Sequence, residues 1–189
     1  VRPYPIFQQG GAYFSVPDFL NSAHTIRTAA DAEAYLARLD AFARVLDEET
    51  AEQRAQAARG YLAPGWSLDL TLVQMRKLRG SPAAEAGLVR SLVTRARAAN
   101  IAGDWQGRAT RIVESRVYPA LDRQIVAIEA LRPSSRAGDG VWRLPDGDAI
   151  YAAALEQMTT TTMSPEEVHR MGLSQVTEIG AELDTILRG

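Results

Sequence analysis

Apolar residues fall at spacings of three and four along most of the chain, the period of an α-helix. The clearest stripe is Tyr35, Leu39, Phe42 and Leu46, with Leu36 and Ala43 beside it. Thr28 stands before this stripe as an N-cap, with Asp31 three residues on, where an acid favours the positive end of the helix dipole. Strong helix formers continue from Glu48 to Arg59. The pattern leaves open one long helix or a break near Asp47. Gly60 suits the end of this region and Pro64 the start of the next. Residues 64–79 set Leu68, Leu72 and Met75 on one face, with Leu70, Val73 and Leu78 near it, and close on Arg76, Lys77 and Arg79. Residues 83–99 direct Leu88, Leu92 and Val93 inward and Arg90, Arg95 and Arg97 outward.

The next stripe is Trp105, Ala109, Ile112, Val113, Val117, Leu121, Ile125 and Ile128, and it predicts the longest helix, from about Asp104 to Leu131. Pro119 lies inside it, and an interior proline costs a straight helix roughly 3 kcal/mol. A kink is therefore expected near Ser115 to Tyr118, since the stripe itself runs on undisturbed. Pro133 to Gly140 reads as an exposed connection, and Val141 to Gly147 as a tight turn. Asp146 is the expected N-cap of a helix over 147–158 whose buried face is Ile150, Tyr151, Ala154, Leu155 and Met158. Ser164, Pro165 and Glu167 make a capping box. The last helix runs to about Arg188, with Val168, Met171, Val176, Ile179, Leu183 and Ile186 inward.

Residues 1–27 show no helical period. Pro3, Pro5 and Pro17 interrupt them, Gly10-Gly11 marks a turn or a close backbone approach, and five aromatics from Tyr4 to Phe19 offer anchors. They predict an irregular arm packed on helices; the sharper reading makes it a lid or the wall of a cleft. No strand pattern appears. The expected fold is all-α, a multi-helix bundle with long kinked helices and an irregular N-terminal arm. It forms one helical domain over 1–189: arm 1–27, helices 28–132, connection 133–146, two helices 147–189. With Val1 first and an amphipathic helix last, the chain reads as a stretch of a longer protein.

Composition narrows the chemistry. The chain has no cysteine, which removes disulfides, thiolate zinc sites and a thiol nucleophile. A net charge of -2 and a pI near 5.8 give no case for a nucleic-acid partner. No apolar run approaches the roughly 20 residues of a membrane span. The compartment stays open between exported and cytoplasmic. His24 is a lone histidine, read as structural or exposed. His169 lies one turn into the last helix, read as half-buried and hydrogen-bonded or as a cleft residue. Thr159 to Thr162 is a polar inter-helix loop or a peptide-binding edge. Glu48-Glu49 and Glu166-Glu167 read as acids at helix starts, since neighbours on a helix diverge too far to share a proton.

Several blocks together resemble one bacterial family. They include Tyr4-Pro-Ile-Phe-Gln-Gln-Gly-Gly-Ala-Tyr, Asp31-Ala-Glu-Ala-Tyr-Leu-Ala-Arg-Leu and Ala58-Arg-Gly-Tyr-Leu-Ala-Pro. Val117-Tyr-Pro-Ala-Leu, Gly140-Val-Trp-Arg-Leu-Pro-Asp-Gly-Asp-Ala-Ile-Tyr and Thr159-Thr-Thr-Thr-Met-Ser-Pro-Glu-Glu-Val-His-Arg-Met-Gly-Leu follow in order. The chain is similar to the "domain of unknown function 885" group, whose members look like gluzincin-type zinc metallopeptidases. That resemblance implies a zinc helix of the His-Glu-Ala-x-Pro-Gly-His type, which this chain lacks, so no catalytic residue and no metal ligand carries over. Zinc is then expected in a full-length parent, with the remainder of the same polypeptide as partner and a peptide as substrate. This chain would be the helical scaffold walling a peptide cleft, with Tyr151, His169, Thr160 and Asp146 as candidate cleft residues. The alternative is a non-catalytic helical module for assembly or partner binding, and a homodimer of this stretch is a further expectation.

Overall fold

In the computed structural model, which describes residues 3–188, the helices are α1 (Ala12–Asp18), α2 (Ala29–Ala58), α3 (Gly65–Arg79), α4 (Gly87–Ala98), α5 (Trp105–Ile112), α6 (Tyr118–Leu131), α7 (Gly147–Thr159) and α8 (Pro165–Arg188). The described residues carry no strand beyond one antiparallel bridge, Phe7 to Gly10. The fold is all-α. It groups into two compact units that divide between Asp139 and Gly140.

In the first unit α2 is the spine. Its 30 residues run unbroken through Asp47. The Thr28 hydroxyl accepts from the Asp31 amide while the Asp31 carboxylate accepts from the Thr28 amide, a reciprocal cap that satisfies two otherwise orphaned donors. Hydrogen bonds to its carboxylate, first from the Arg27 amide and then from the Thr28 hydroxyl and amide, hold the Asp31 carboxyl below its ordinary range. Tyr35, Leu36, Leu39, Phe42, Ala43 and Leu46 are buried along one face, as their spacing predicts.

Against this face lie α5 and α6, and they run parallel to α2. Three ion pairs set the direction: Arg108 with Glu33, Arg116 with Asp40, Arg123 with Asp47. On α2 the acids recur every seven residues. The sequence separation is 75 for the first pair and 76 for the third. One extra residue has entered the partner helix in between. It sits in Val113–Val117, a single wide π-type turn in which the Tyr118 amide reaches back to the Val113 carbonyl. Pro119 follows two residues later, and widening the turn before it relieves the clash of a proline ring with the carbonyl four residues earlier. The backbone stays in the right-handed helical region through Val117, so the expected kink takes the form of a π-turn. The expected longest helix is thus interrupted, and α2 is longer. The ion pairs are largely exposed, worth about 0–1 kcal/mol each, so they report register more than they supply stability. The apolar stripe beneath them, Val113, Val117, Leu121 and Ile128, is fully buried. Gln124 is buried among it and donates its amide to the Leu46 carbonyl and the Thr50 hydroxyl.

On the other flank of α6 lies α3, antiparallel to it, paired through Arg132–Asp69, Arg76–Glu129 and Arg79–Asp122. Leu68, Leu72 and Met75 face inward. Leu70 and Val73, expected near that face, are exposed. Tyr35 donates its hydroxyl to the Leu88 carbonyl and fastens α2 to α4. Arg95, expected outward, is half-buried. It donates to the carbonyls of Leu20 and His24 and fixes the arm.

The arm is helical where irregular chain was expected. Ala12–Asp18 is α1, and a π-type turn, Phe19–Ala23, extends it. Pro17 and the short apolar spacing hide this helix from a periodicity search. Before it, Phe7 and Gly10 exchange both backbone hydrogen bonds. The Phe7 ring lies over Gly10 so closely that an added Cβ would stand 2.2 Å from it, which fixes glycine there. His24 is buried. Its Nδ1 accepts from Arg38 and its Nε2 donates to the Asp31 carbonyl, while Phe19 and Tyr35 meet it edge-on. The structural reading of His24 holds.

In the second unit a single helical turn, Val141–Arg143, leads into α7. Gly147 is the reason they can approach: a Cβ there would lie 2.4 Å from the Val141 carbonyl oxygen. Asp146 does not cap α7 with its side chain. Its backbone is left-handed, φ 54°, which turns the side chain away from the first amides. The expected buried face of α7 is not buried: Tyr151 and Met158 are exposed, and Ile150, Ala154 and Leu155 are half-buried. The α8 capping box forms as expected, with Ser164 and Glu167 bonding reciprocally, and those bonds hold the Glu167 carboxyl below its ordinary range. Its apolar residues, expected inward, stand in solvent: Val176, Ile179, Leu183 and Ile186 are all exposed.

Two outcomes follow. Deleting Glu114, an exposed residue of the wide turn, removes the extra residue and rotates Leu121 and Ile128 off the core; we expect a loss of at least about 3 kcal/mol in urea unfolding, against less than about 0.5 for Glu114→Ala. Glu49 on α2 accepts from the Ala12 amide at 2.7 Å, and burial pushes its carboxyl up despite that bond. A raised folded value means stability is greatest below the unfolded value and falls as pH rises through the folded one. Glu49→Gln keeps the acceptor without the charge, so its melting temperature should exceed that of the parent chain at pH 7 and lose that advantage near pH 4. A melting series that runs the other way would refute this account of Glu49.

Candidate functional site

The arm folds across α2 and encloses a cleft of about 550 Å³. Tyr4 and Phe14 provide aromatic surface, Gly10 and Gly11 bring backbone to its edge, and Asp18, Glu49 and Glu52 supply three carboxylates with no basic residue among the lining. The cleft-wall reading of the arm agrees with this geometry. Glu49 is its most constrained acid. It lies mid-helix rather than at a helix start, and one oxygen is tied to the Ala12 amide. Burial raises its carboxyl, and the Ala12 hydrogen bond acts the other way. Its neighbour Glu48 turns away and pairs with Arg44, as adjacent positions on a helix must. Glu52 accepts from the Gln56 amide. Acids beside aromatic faces complement a cation or an amine better than an anion. The lining holds no histidine.

Sequence reasoning missed this acid lining. The signal available was Glu49, Glu52 and Gln56 at spacings of three and four along one helix, but their partner surface is the folded arm. Other cavities also lie in the first unit. A cavity of about 530 Å³ lies at the α4–α5 loop beside Arg97, Asn100 and Trp105. A groove of about 360 Å³ between α2 and α6 is lined by Thr50, Ala51, Arg54 and Val126.

The four residues expected to line a cleft all fall in the second unit. Tyr151 is half exposed on α7. Thr160 ends α7 in the left-handed region, φ 55°, with its hydroxyl on the Thr159 carbonyl. Asp146 precedes α7, and His169 is exposed on α8 rather than half-buried. None of the four lines the clefts above. Thr159 to Thr162 is a loop tied to itself, Thr159 bonding Leu155 and Thr161. Among the described residues no three His, Asp or Glu side chains gather to hold a metal ion. The described residues therefore do not fit a zinc centre. No helix of the described residues is long and apolar enough to cross a membrane.

Comparison with known proteins places this geometry. A solved structure described as "the putative lipoprotein from Colwellia psychrerythraea" matches with a TM-score of 0.92 at 23% identity, covering 99% of this chain and 33% of that one. At that identity the likeness is one of fold, and the chain spans about a third of the length of that structure. No curated protein matches. The family model described as "Bacterial protein of unknown function (DUF885)" matches residues 2–189. The chain thus belongs to the DUF885 family of bacterial proteins.

Proposed function

We propose that this chain is the helical scaffold and substrate-cleft wall of a zinc-dependent, peptidase-like protein, and that it is not catalytic by itself. One observation carries the scaffold part: α8 has apolar residues at helical spacing and no buried residue, so its face is made to be covered. The matched structure is about three times as long as the region it shares with this chain, which leaves room for a covering part and for the chemistry. The zinc and the peptide substrate in this reading come from the sequence resemblance. Tyr151 and His169, exposed and committed to no hydrogen bond described here, are free to meet a peptide.

The reading is tested on the full-length protein. We expect a His-Glu-x-x-x-x-His-type segment downstream of residue 189, zinc bound in stoichiometric amount, and peptide hydrolysis that a chelator abolishes. Residues 1–189 alone should bind no zinc and cleave nothing. His169→Ala and Tyr151→Phe should leave the stability of the chain within about 0.5 kcal/mol, as for exposed positions, and raise KM of the full-length enzyme. A full-length protein without zinc and without hydrolysis would overturn the peptidase reading and leave a helical module.

A further inference from the structure

The apolar face of α8 has a composition that bareness does not explain. Counting about 100° per residue, Gly172, Val176, Ile179, Gly180, Leu183, Ile186 and Leu187 fall in one arc that begins one turn beyond His169. Its large side chains are between 52% and 81% exposed. Gly172 sits within this arc and Gly180 at one edge of it, both inside a 24-residue helix. Glycine weakens a helix interior, and neither glycine is needed here for space, since a Cβ at either would meet nothing within 4 Å. Neither has a positive φ. Turn geometry therefore accounts for neither. Close approach of another backbone would account for both.

Resting on the reading above, we propose that this arc is the docking seam for one apolar helix carried by the remainder of the same polypeptide, its edges bearing lysine or arginine. Length supports that occupant: about two thirds of the matched structure lies outside the region this chain covers. Charge supports its chemistry. The arc is edged by Glu182 on one side and Asp184 on the other. The two arginines of α8 are each turned to an acid of their own helix, Arg170 to Glu166 and Arg188 to Asp184. Asp184 already meets Arg188, so the edge left acidic is that of Glu182; a lysine or arginine on the docking helix answers it, whereas a second copy brings another glutamate. The glycines let its backbone approach, and the apolar side chains beside them take it by ridge and groove.

The test compares two chains carrying Gly172→Gln and Gly180→Gln together. Glutamine forms helix better than glycine and adds no apolar surface. In residues 1–189 alone the pair should leave the melting temperature unchanged or raise it. In the full-length protein it should lower it by on the order of 10 °C, because the seam can no longer close. Glu182→Lys should also lower the full-length value, and less so in 1 M salt. No effect in the full-length protein would overturn the proposal. Destabilisation of both chains would place the covering surface within residues 1–189 and overturn it. A dimer of residues 1–189 by sedimentation, broken by the glutamines, would assign the face to a second copy and overturn it. None of these readouts involves zinc or hydrolysis, so loss of the peptidase reading would leave the docking result standing.

Discussion

Parallel packing of α2 against α5 and α6 is the constraint on which the first unit depends. Two parallel helices keep register only if their apolar stripes advance together. Here Pro119 interrupts one of them, and the wide turn at Val113–Val117 absorbs the interruption by adding a residue. The ion pairs record the shift: Glu33, Asp40 and Asp47 recur every seven residues, while their arginine partners are eight and then seven apart. With the extra residue in place, Leu121, Gln124 and Ile128 still point at α2. A wide helical turn is a local irregularity, but here it holds the long-range register of the core.

That packing also positions the cleft. The arm is held on one side by Tyr13, whose hydroxyl donates to the Gln74 side-chain oxygen on α3, and on the other by Arg95, which gathers the carbonyls of Leu20 and His24. Between these anchors the Ala12 amide meets Glu49 on α2. A half-buried acid thus ties the start of α1 to the spine while lining the open space beside it. The same carboxylate serves the fold and gives the cleft part of its charge, so changes to one are felt in the other.

The second unit follows a different logic. Apart from the Asp146 cap, its local signals are met: Gly147 allows the turn to touch α7, and Ser164 and Glu167 cap α8. Its faces are open. A helix with a capping box and a bare apolar arc is specified locally and, in the proposed reading, completed from outside, because helices in proteins gain most of their stability from packing. This contrast between the units is the physical basis for reading the chain as a scaffold.

Much of the architecture was legible in the sequence. The stripe from Tyr35 to Leu46, the caps at Thr28 and Ser164, and the disturbance before Pro119 each follow from short-range chemistry: side-chain period, an orphaned amide and a missing N–H. What the sequence left open or misplaced depended on distant partners. Whether α2 broke at Asp47 was decided by α6 lying along its length. Arg95 turned inward because the arm's carbonyls, more than 70 residues away in sequence, needed a donor. Asp146 failed as a cap because the turn before it imposed a left-handed backbone. The apolar faces of α7 and α8 were correctly placed on their helices and wrongly assigned to a core. Periodicity fixes which side of a helix avoids water, and only tertiary structure decides what, if anything, covers it.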